Sequence, residues 1–229
     1  CSPFRQVFLT ERSRLAIVAA VARPRQFDRE AALDRAMDAF WSKGYEATSI
    51  EDLVARMGIQ RGSLYGTFGD KRTLFLAALE RYQRVVAREL FDALEAPGSG
   101  LEVIRRFFRL RVERALDRRR PLGCLVTNSV VELSSRNRGA AAKVGGSLVE
   151  LEAAFGRALE RARAAGELAA TRDLRALARF LTSSAQGLSV MAKAFPDRAL
   201  LEDVVSVVLA ALEPGRPAGP GTPAGKERP

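Results

Sequence analysis

Two short helical stretches meet at Gly58, and that junction constrains this chain more than any other feature. Thr48-Ser49-Ile50-Glu51 has the form of a capping box, in which the Thr48 hydroxyl takes an orphan amide and Glu51 reaches back to the Thr48 amide. Ile50, Leu53, Val54 and Met57 then recur at helical spacing and make a buried face. Gly58 ends that helix, Ile59 anchors a tight turn, and a stubby helix is predicted over 60–67. Capped helix, glycine turn and short helix together are the sequence form of a helix-turn-helix. In that motif the second helix lies in the DNA major groove, with its first residues on base edges.

The flanking sequence is helical as well. Leu33, Ala36, Met37, Phe40 and Trp41 form one apolar stripe on a helix predicted over 28–42, capped by Asp28 and closed by Gly44. After Gly69-Asp70, a longer helix over 70–94 carries Leu74, Phe75, Ala78, Leu79, Tyr82 and Val86 on one side. Residues 96–100, Ala-Pro-Gly-Ser-Gly, read as a linker. Beyond it, stripes at Leu101/Ile104/Phe107/Phe108, at Leu122/Leu125/Val126/Val130 and at Leu148/Leu151/Phe155/Leu159 mark three more helices. Gly166 closes the third of these, and Thr171 is expected to cap a helix over 172–194. A last helix over 197–212 carries Leu201, Val204, Val205 and Val208. No run alternates as a strand would. The fold class is therefore all-α, with an amino-terminal three-helix helix-turn-helix domain and a carboxy-terminal helical domain.

Lys and Arg number 37 against 27 Asp and Glu, a net charge of +10. A basic balance favours an anionic partner, but an Arg-rich composition alone is equally compatible with none. The first 96 residues hold 15 basic against 13 acidic side chains, so the excess does not single out the helix-turn-helix. Locally, Arg56, Arg61, Lys71 and Arg72 face only Asp70 between positions 56 and 72. The 2 cysteines argue against a disulfide framework and the absence of histidine removes Ser-His-Asp and Cys-His catalysis. No metal or cofactor motif is present, and the chain is expected to be no enzyme. The apolar run over 15–22 follows Arg12 and Arg14 and weakly imitates a signal peptide, but it is short and Ala-rich. No segment approaches the ~20 apolar residues of a membrane span, and a cytoplasmic location is expected.

Three runs sharpen the picture: Gly44-Tyr45-Glu46-Ala47-Thr48-Ser49-Ile50, Met57-Gly58-Ile59-Gln60-Arg61-Gly62-Ser63-Leu64-Tyr65-Gly66-Thr67-Phe68, and Asp70-Lys71-Arg72-Thr73-Leu74-Phe75. In order and spacing they resemble the amino-terminal domain of the tetracycline-repressor family, over residues 28–90. The resemblance implies a ligand-responsive transcriptional regulator, a repressor rather than an activator, that binds a palindromic operator in double-stranded DNA as a homodimer and is released by a small effector. It implies that Thr48 and Tyr65 donate hydroxyls to phosphates and that Lys71 meets another phosphate. Gln60, Arg61, Gly62, Ser63, Gly66 and Thr67 would occupy the recognition helix, with Gly62 allowing close packing and Leu64 and Phe68 pointing inward. Arg61 either reads guanine or contacts phosphate. Many relatives carry an aromatic or histidine where Gly66 stands. Arg23 and Arg25 would touch the neighbouring minor groove or form a solvated arm.

The same resemblance implies domains at 23–70 for DNA binding, 71–96 as a connecting helix and 97–212 for ligand binding and dimerisation. Residues 1–22 are expected to be a disordered or extraneous extension, and 213–229 a disordered tail. The last two helices would pair with their copies in a four-helix bundle, with Ala178, Ser183, Ser184, Ala185, Gly187 and Ser189 small enough for close approach. Gly123-Cys124-Leu125-Val126-Thr127-Asn128 with Glu132 resembles a segment of some subgroups. Cys124 and Asn128, on one stripe with Val131 and Ser135, would line a small-molecule effector site. There Cys124 is either a packing thiol or a sensor activated by Arg118, Arg119 and Arg120 and a helix start near Pro121. The rival readings are a ligand-binding helical protein without DNA binding and a helical enzyme.

Overall fold

A computed structural model describes residues 27–133 and 138–213. The expectations for residues 1–22, Arg23, Arg25, Ser135 and the tail beyond residue 213 lie outside the described residues. Within them the chain is helical, and no strand occurs.

Helix α1 (Arg29–Lys43) begins where Asp28 accepts the Glu30 and Ala31 amides at 2.9 and 3.2 Å. Its predicted stripe of Leu33, Ala36, Met37, Phe40 and Trp41 is buried. Gly44 ends it at φ +89°, a conformation a side chain would resist. Helix α2 (Ile50–Met57) is capped one residue later than the sequence suggested. The Ser49 hydroxyl accepts the Asp52 amide at 3.0 Å, and the Asp52 carboxylate accepts the Ser49 amide at 2.9 Å. Adjacent hydroxyls and adjacent acids allow either register. Lys43, 2.7 Å from Asp52, favours the observed one and, with the Ser49 amide and hydroxyl, holds Asp52 at a pKa of about 2. Thr48 instead turns inward, fully buried, and donates to the Gly44 carbonyl at 2.6 Å.

Gly58 adopts the left-handed conformation, φ +68°, that permits the turn into α3 (Arg61–Phe68). Ile59, 8% exposed, pins that turn to the core. Asp70 caps α4 (Lys71–Tyr82) through the Thr73 amide at 2.7 Å. Phe40 meets Phe75 edge to face at 5.2 Å, and Arg81 clasps Asp34 through two bonds of 2.7 and 3.0 Å, fixing α4 across α1. The long helix predicted here continues through a π-helical turn (Gln83–Ala87) into α5 (Arg88–Glu95). Tyr82 and Val86 belong to a first core with α1–α4, whereas Leu90 and Leu94 belong to a second, so the π turn stands at the junction.

The second core gathers α6 (Gly100–Ala115), α8 (Arg138–Ala164), α9 (Leu174–Ala194) and α10 (Arg198–Ala210) around Phe107, Phe108 and Phe155. Gly100, read as linker, opens α6. A Cβ there would stand 2.2 Å from the Ala158 carbonyl oxygen, so α6 crosses α8 at backbone distance. Asp173, not Thr171, caps α9 by accepting the Arg175 and Ala176 amides at 3.0 Å; a carboxylate next to the helix start suits the positive end of its dipole. Ala178, Ala185 and Ser189 face this core rather than outward, while Ser183 and Gly187 are exposed. Helix α7 (Leu125–Leu133) bridges the two halves, for Cys124, Leu125 and Val126 join the first core.

Candidate DNA-reading surface and effector cavity

Helix α3 stands clear of its own domain. Leu64 and Phe68 are its only buried residues, and Gln60, Arg61, Gly62, Tyr65 and Gly66 form an exposed strip flanked by half-buried Ser63 and Thr67. Tyr65 is 43% exposed, a large fraction for a tyrosine with no hydroxyl partner among the described residues. Arg61 lies over the Tyr65 ring at 5.9 Å and pairs with Glu51 at 3.0 Å. Both partners are well exposed, and such a pair is worth about 0–1 kcal/mol, so the guanidinium is readily released to a stronger acceptor. A Cβ added at Gly62 or Gly66 would meet nothing within 4 Å. The expectation that Gly62 permits close packing is therefore corrected: both glycines thin an open surface instead.

Lys71 is held beside this strip. Its Nζ donates to the Glu46 carbonyl at 3.3 Å and lies 4.6 Å from the centre of the Tyr45 ring. Thr48 is not part of the exposed surface. Its hydroxyl is buried and engaged with Gly44, so the phosphate contact expected of it is corrected too, and Ser49 is the exposed hydroxyl at that helix start.

Sequence reasoning missed what Glu132 does. From α7 its carboxylate accepts the amides of Tyr45 at 2.8 Å and Glu46 at 2.6 Å. Tyr45 and Glu46 are the same two residues that hold Lys71, so one acidic side chain of the carboxy-terminal half steadies the turn ahead of the helix-turn-helix. The presence of a glutamate eight residues after Cys124 was visible, but its long-range partners carry no local signal.

At the other end of α7 lies a cavity of about 560 Å³, within the range of small-molecule sites. Leu90, Phe91, Phe107, Val126 and Leu151 supply apolar wall, and Tyr82, Arg111, Cys124 and Gln186 supply polar groups. Cys124 is buried, and Tyr82 donates its hydroxyl to the sulfur at 3.4 Å. Burial pushes the thiol up, but the Arg111 guanidinium, the Tyr82 hydroxyl and Thr127 outweigh it and hold its pKa below the ordinary value. The cation is thus Arg111 and not the expected Arg118–120 group: Arg119 projects into solvent and pairs with Asp117 at 2.8 Å. Asn128 does not line the cavity. Its Nδ2 is buried without a hydrogen-bond partner among the described residues, and nothing in the structure explains that.

An outward helix on a small three-helix head, joined through one continuous helix to a hollow helical body, defines a helix-turn-helix regulator of the kind that houses its own ligand cavity. Residues 32–78 match the model for "Bacterial regulatory proteins, tetR family", and 100–208 that for "Tetracyclin repressor-like, C-terminal domain". The chain is 38% identical over 194 residues to the uncharacterized HTH-type transcriptional regulator YezE of Bacillus subtilis (strain 168), covering 84% of this chain and 100% of that one. It is 34% identical over 172 residues to the HTH-type transcriptional repressor ComR of Escherichia coli (strain K12), covering 75% of this chain and 82% of ComR. Among solved structures, a cysteine mutant of the TetR family transcriptional regulator CifR, complexed with 26-base-pair operator DNA, superposes with a TM-score of 0.79 at 36% identity. That match covers 83% of this chain and 100% of CifR. This chain belongs to the tetracycline-repressor family of transcriptional regulators.

No helix of the described residues is long and apolar enough to cross a membrane, and no group of three or more His, Cys, Asp or Glu among them is placed to hold a metal.

Proposed function

We propose that the chain is a homodimeric, cytoplasmic repressor that binds a palindromic operator through α3 and is released when a small molecule enters the cavity. The observation that carries the reading is the exposed strip of α3, which presents Tyr65 and Arg61 to solvent, the latter held only by an exposed pair with Glu51. The operator-bound CifR structure supports operator binding by likeness, and the repressor ComR favours repression over activation.

Dimerisation is supported by uncovered apolar side chains on α9 and α10. Phe180 is 40%, Val190 53% and Val207 71% exposed, and Ser183 and Gly187 between the first two are small enough for a second helix to approach. An operator with half-sites about 34–36 Å apart requires the two α3 helices of such a dimer to stand one helical turn of DNA apart.

The route from cavity to DNA runs along α7. Cys124 and Val126 form cavity wall at its start, and Glu132 grips the Tyr45–Glu46 turn near its end. A ligand that shifts α7 changes the seat of Lys71 and the pose of the head, and it does so to the extent that it binds the two poses unequally. A gel shift with DNA from upstream of the chain's own gene, repeated with Val207→Glu, tests the reading. Wild-type protein is expected to retard the fragment, and Val207→Glu to sediment as a monomer and lose retardation. Retardation by a monomer, or none by the wild-type protein, contradicts it.

A further inference from the structure

Arg111 is a buried cation lacking a counter-charge. It is 8% exposed on α6, its Nε donates to the Ala185 carbonyl at 2.8 Å and one Nη to the Ser189 hydroxyl at 2.5 Å. Both acceptors are neutral. The other Nη has no hydrogen-bond partner among the described residues, no carboxylate of those residues forms an ion pair with Arg111, and the Phe107 ring, 5.9 Å from the guanidinium carbon, carries no net charge. The acids that line the same cavity, Glu80, Asp92 and Glu150, are all exposed residues on its rim. A guanidinium largely withdrawn from water without an anion is costly, and Arg111 lines the cavity, where a bound anion would supply the missing charge.

A second donor stands next to it. Gln186 follows Ala185 on α9 and lines the cavity. Its carbonyl oxygen accepts the Thr127 hydroxyl at 2.5 Å, which leaves its amide nitrogen without a partner among the described residues. Two nitrogen donors thus stand beside an apolar wall of Leu90, Phe91, Phe107, Val126, Leu148 and Leu151, while the other cations of the lining, Arg84 and Arg88, are exposed like the acids.

We infer that the cavity takes a small amphipathic organic acid as its anion, with the carboxylate on Arg111 and Gln186 and the hydrocarbon body along the apolar wall. This rests on the reading of the cavity as the effector site. A planar carboxylate suits the fork of the guanidinium, and the volume of about 560 Å³ leaves room for a body of several carbons. The apolar wall binds hydrocarbon without regard to charge, and the charges of Arg84 and Arg88 are exposed to water, so selectivity is assigned to buried Arg111.

The test compares octanoate with octanamide, which match in length and shape and differ in charge. Isothermal titration of wild-type protein is expected to show octanoate binding about tenfold or more tighter than octanamide. Arg111→Lys is expected to keep the preference, and Arg111→Met to bring the two affinities within about twofold, with far-ultraviolet dichroism reporting its fold. Equal affinities in the wild-type protein, binding of neither compound, or a preference that survives in folded Arg111→Met overturns the inference. The wild-type comparison decides the matter even if Arg111→Met does not fold. Operator release, followed by fluorescence anisotropy, is read separately. Octanoate binding without release leaves the anion site standing and defeats the effector reading, whereas release by both compounds alike defeats the anion site alone.

Discussion

The carboxylate of Glu132 holds the amide of Tyr45 at 2.8 Å, across 87 residues of sequence. Gly44 makes the approach feasible, since a Cβ there would lie 2.8 Å from the same oxygen. Replacing Glu132 with Ala leaves two amides without their charged acceptor. The expected cost is about 1.5–3 kcal/mol in chemical denaturation, the range for hydrogen bonds to a charged group. Amide exchange at Tyr45 and Glu46 should quicken in the same variant. Unchanged exchange at both would show that the turn is held by something else.

Arg61 separates base reading from phosphate binding. Its only ionic partner among the described residues is exposed Glu51, so Arg61→Ala should change stability by less than about 1 kcal/mol. If Arg61 reads guanine, the same variant loses about 1–3 kcal/mol of operator binding that vanishes when that base pair is changed. Affinities measured across an operator-substitution series decide it. An equal loss on every variant operator would assign Arg61 to the phosphates.

Tyr65 and Lys71 are expected to act on all sequences alike. Tyr65→Phe removes the exposed hydroxyl and Lys71→Ala the amine parked on Glu46. Both should weaken specific and non-specific DNA binding by a similar factor. Only Lys71→Ala should also reduce the slope of log K against log salt, by about one, because only it removes a charge that displaces a counter-ion. Binding titrations at several salt concentrations give both numbers.

The glycines should divide by surroundings. Gly62→Ala and Gly66→Ala add a methyl to open space within a helix and should raise stability by roughly 0.5–1 kcal/mol each. Gly66→Ala should still weaken operator binding if DNA approaches the bare backbone there. Gly100→Ala drives a methyl against the Ala158 carbonyl and should destabilise by more than 1 kcal/mol, roughly the cost of overpacking a core. Thermal melts of the three variants check the order.

Local signals made much of this legible. Asp28, Gly44 and Gly58 terminate helices in the structure where the sequence places them, and Leu64 and Phe68 turn inward as their spacing requires. The misreadings at Thr48 and Thr171 share a form, two capping residues close together: Lys43 on Asp52 selects Ser49 at the first, and the carboxylate of Asp173 suits the helix dipole at the second. Arg111 stands among several arginines, Arg105, Arg106, Arg109 and Arg114, from which composition does not distinguish it. Its position four residues after Phe107 and seven after Ile104, on the buried stripe of α6, was the available clue. The partners of Glu132 had no such clue, because nothing local to either segment anticipates a bond across 87 residues.

The central claim is that two copies of α3 enter successive major grooves of one duplex. Hydroxyl-radical footprinting on DNA from upstream of the chain's own gene tests it most directly. Two α3 helices so placed should leave a two-fold symmetric pair of protected tracts, with centres about 10–10.5 base pairs or a multiple of that apart, both lost in Tyr65→Phe/Lys71→Ala protein. Protection on one half-site alone, or protection that persists in the double variant, would contradict it.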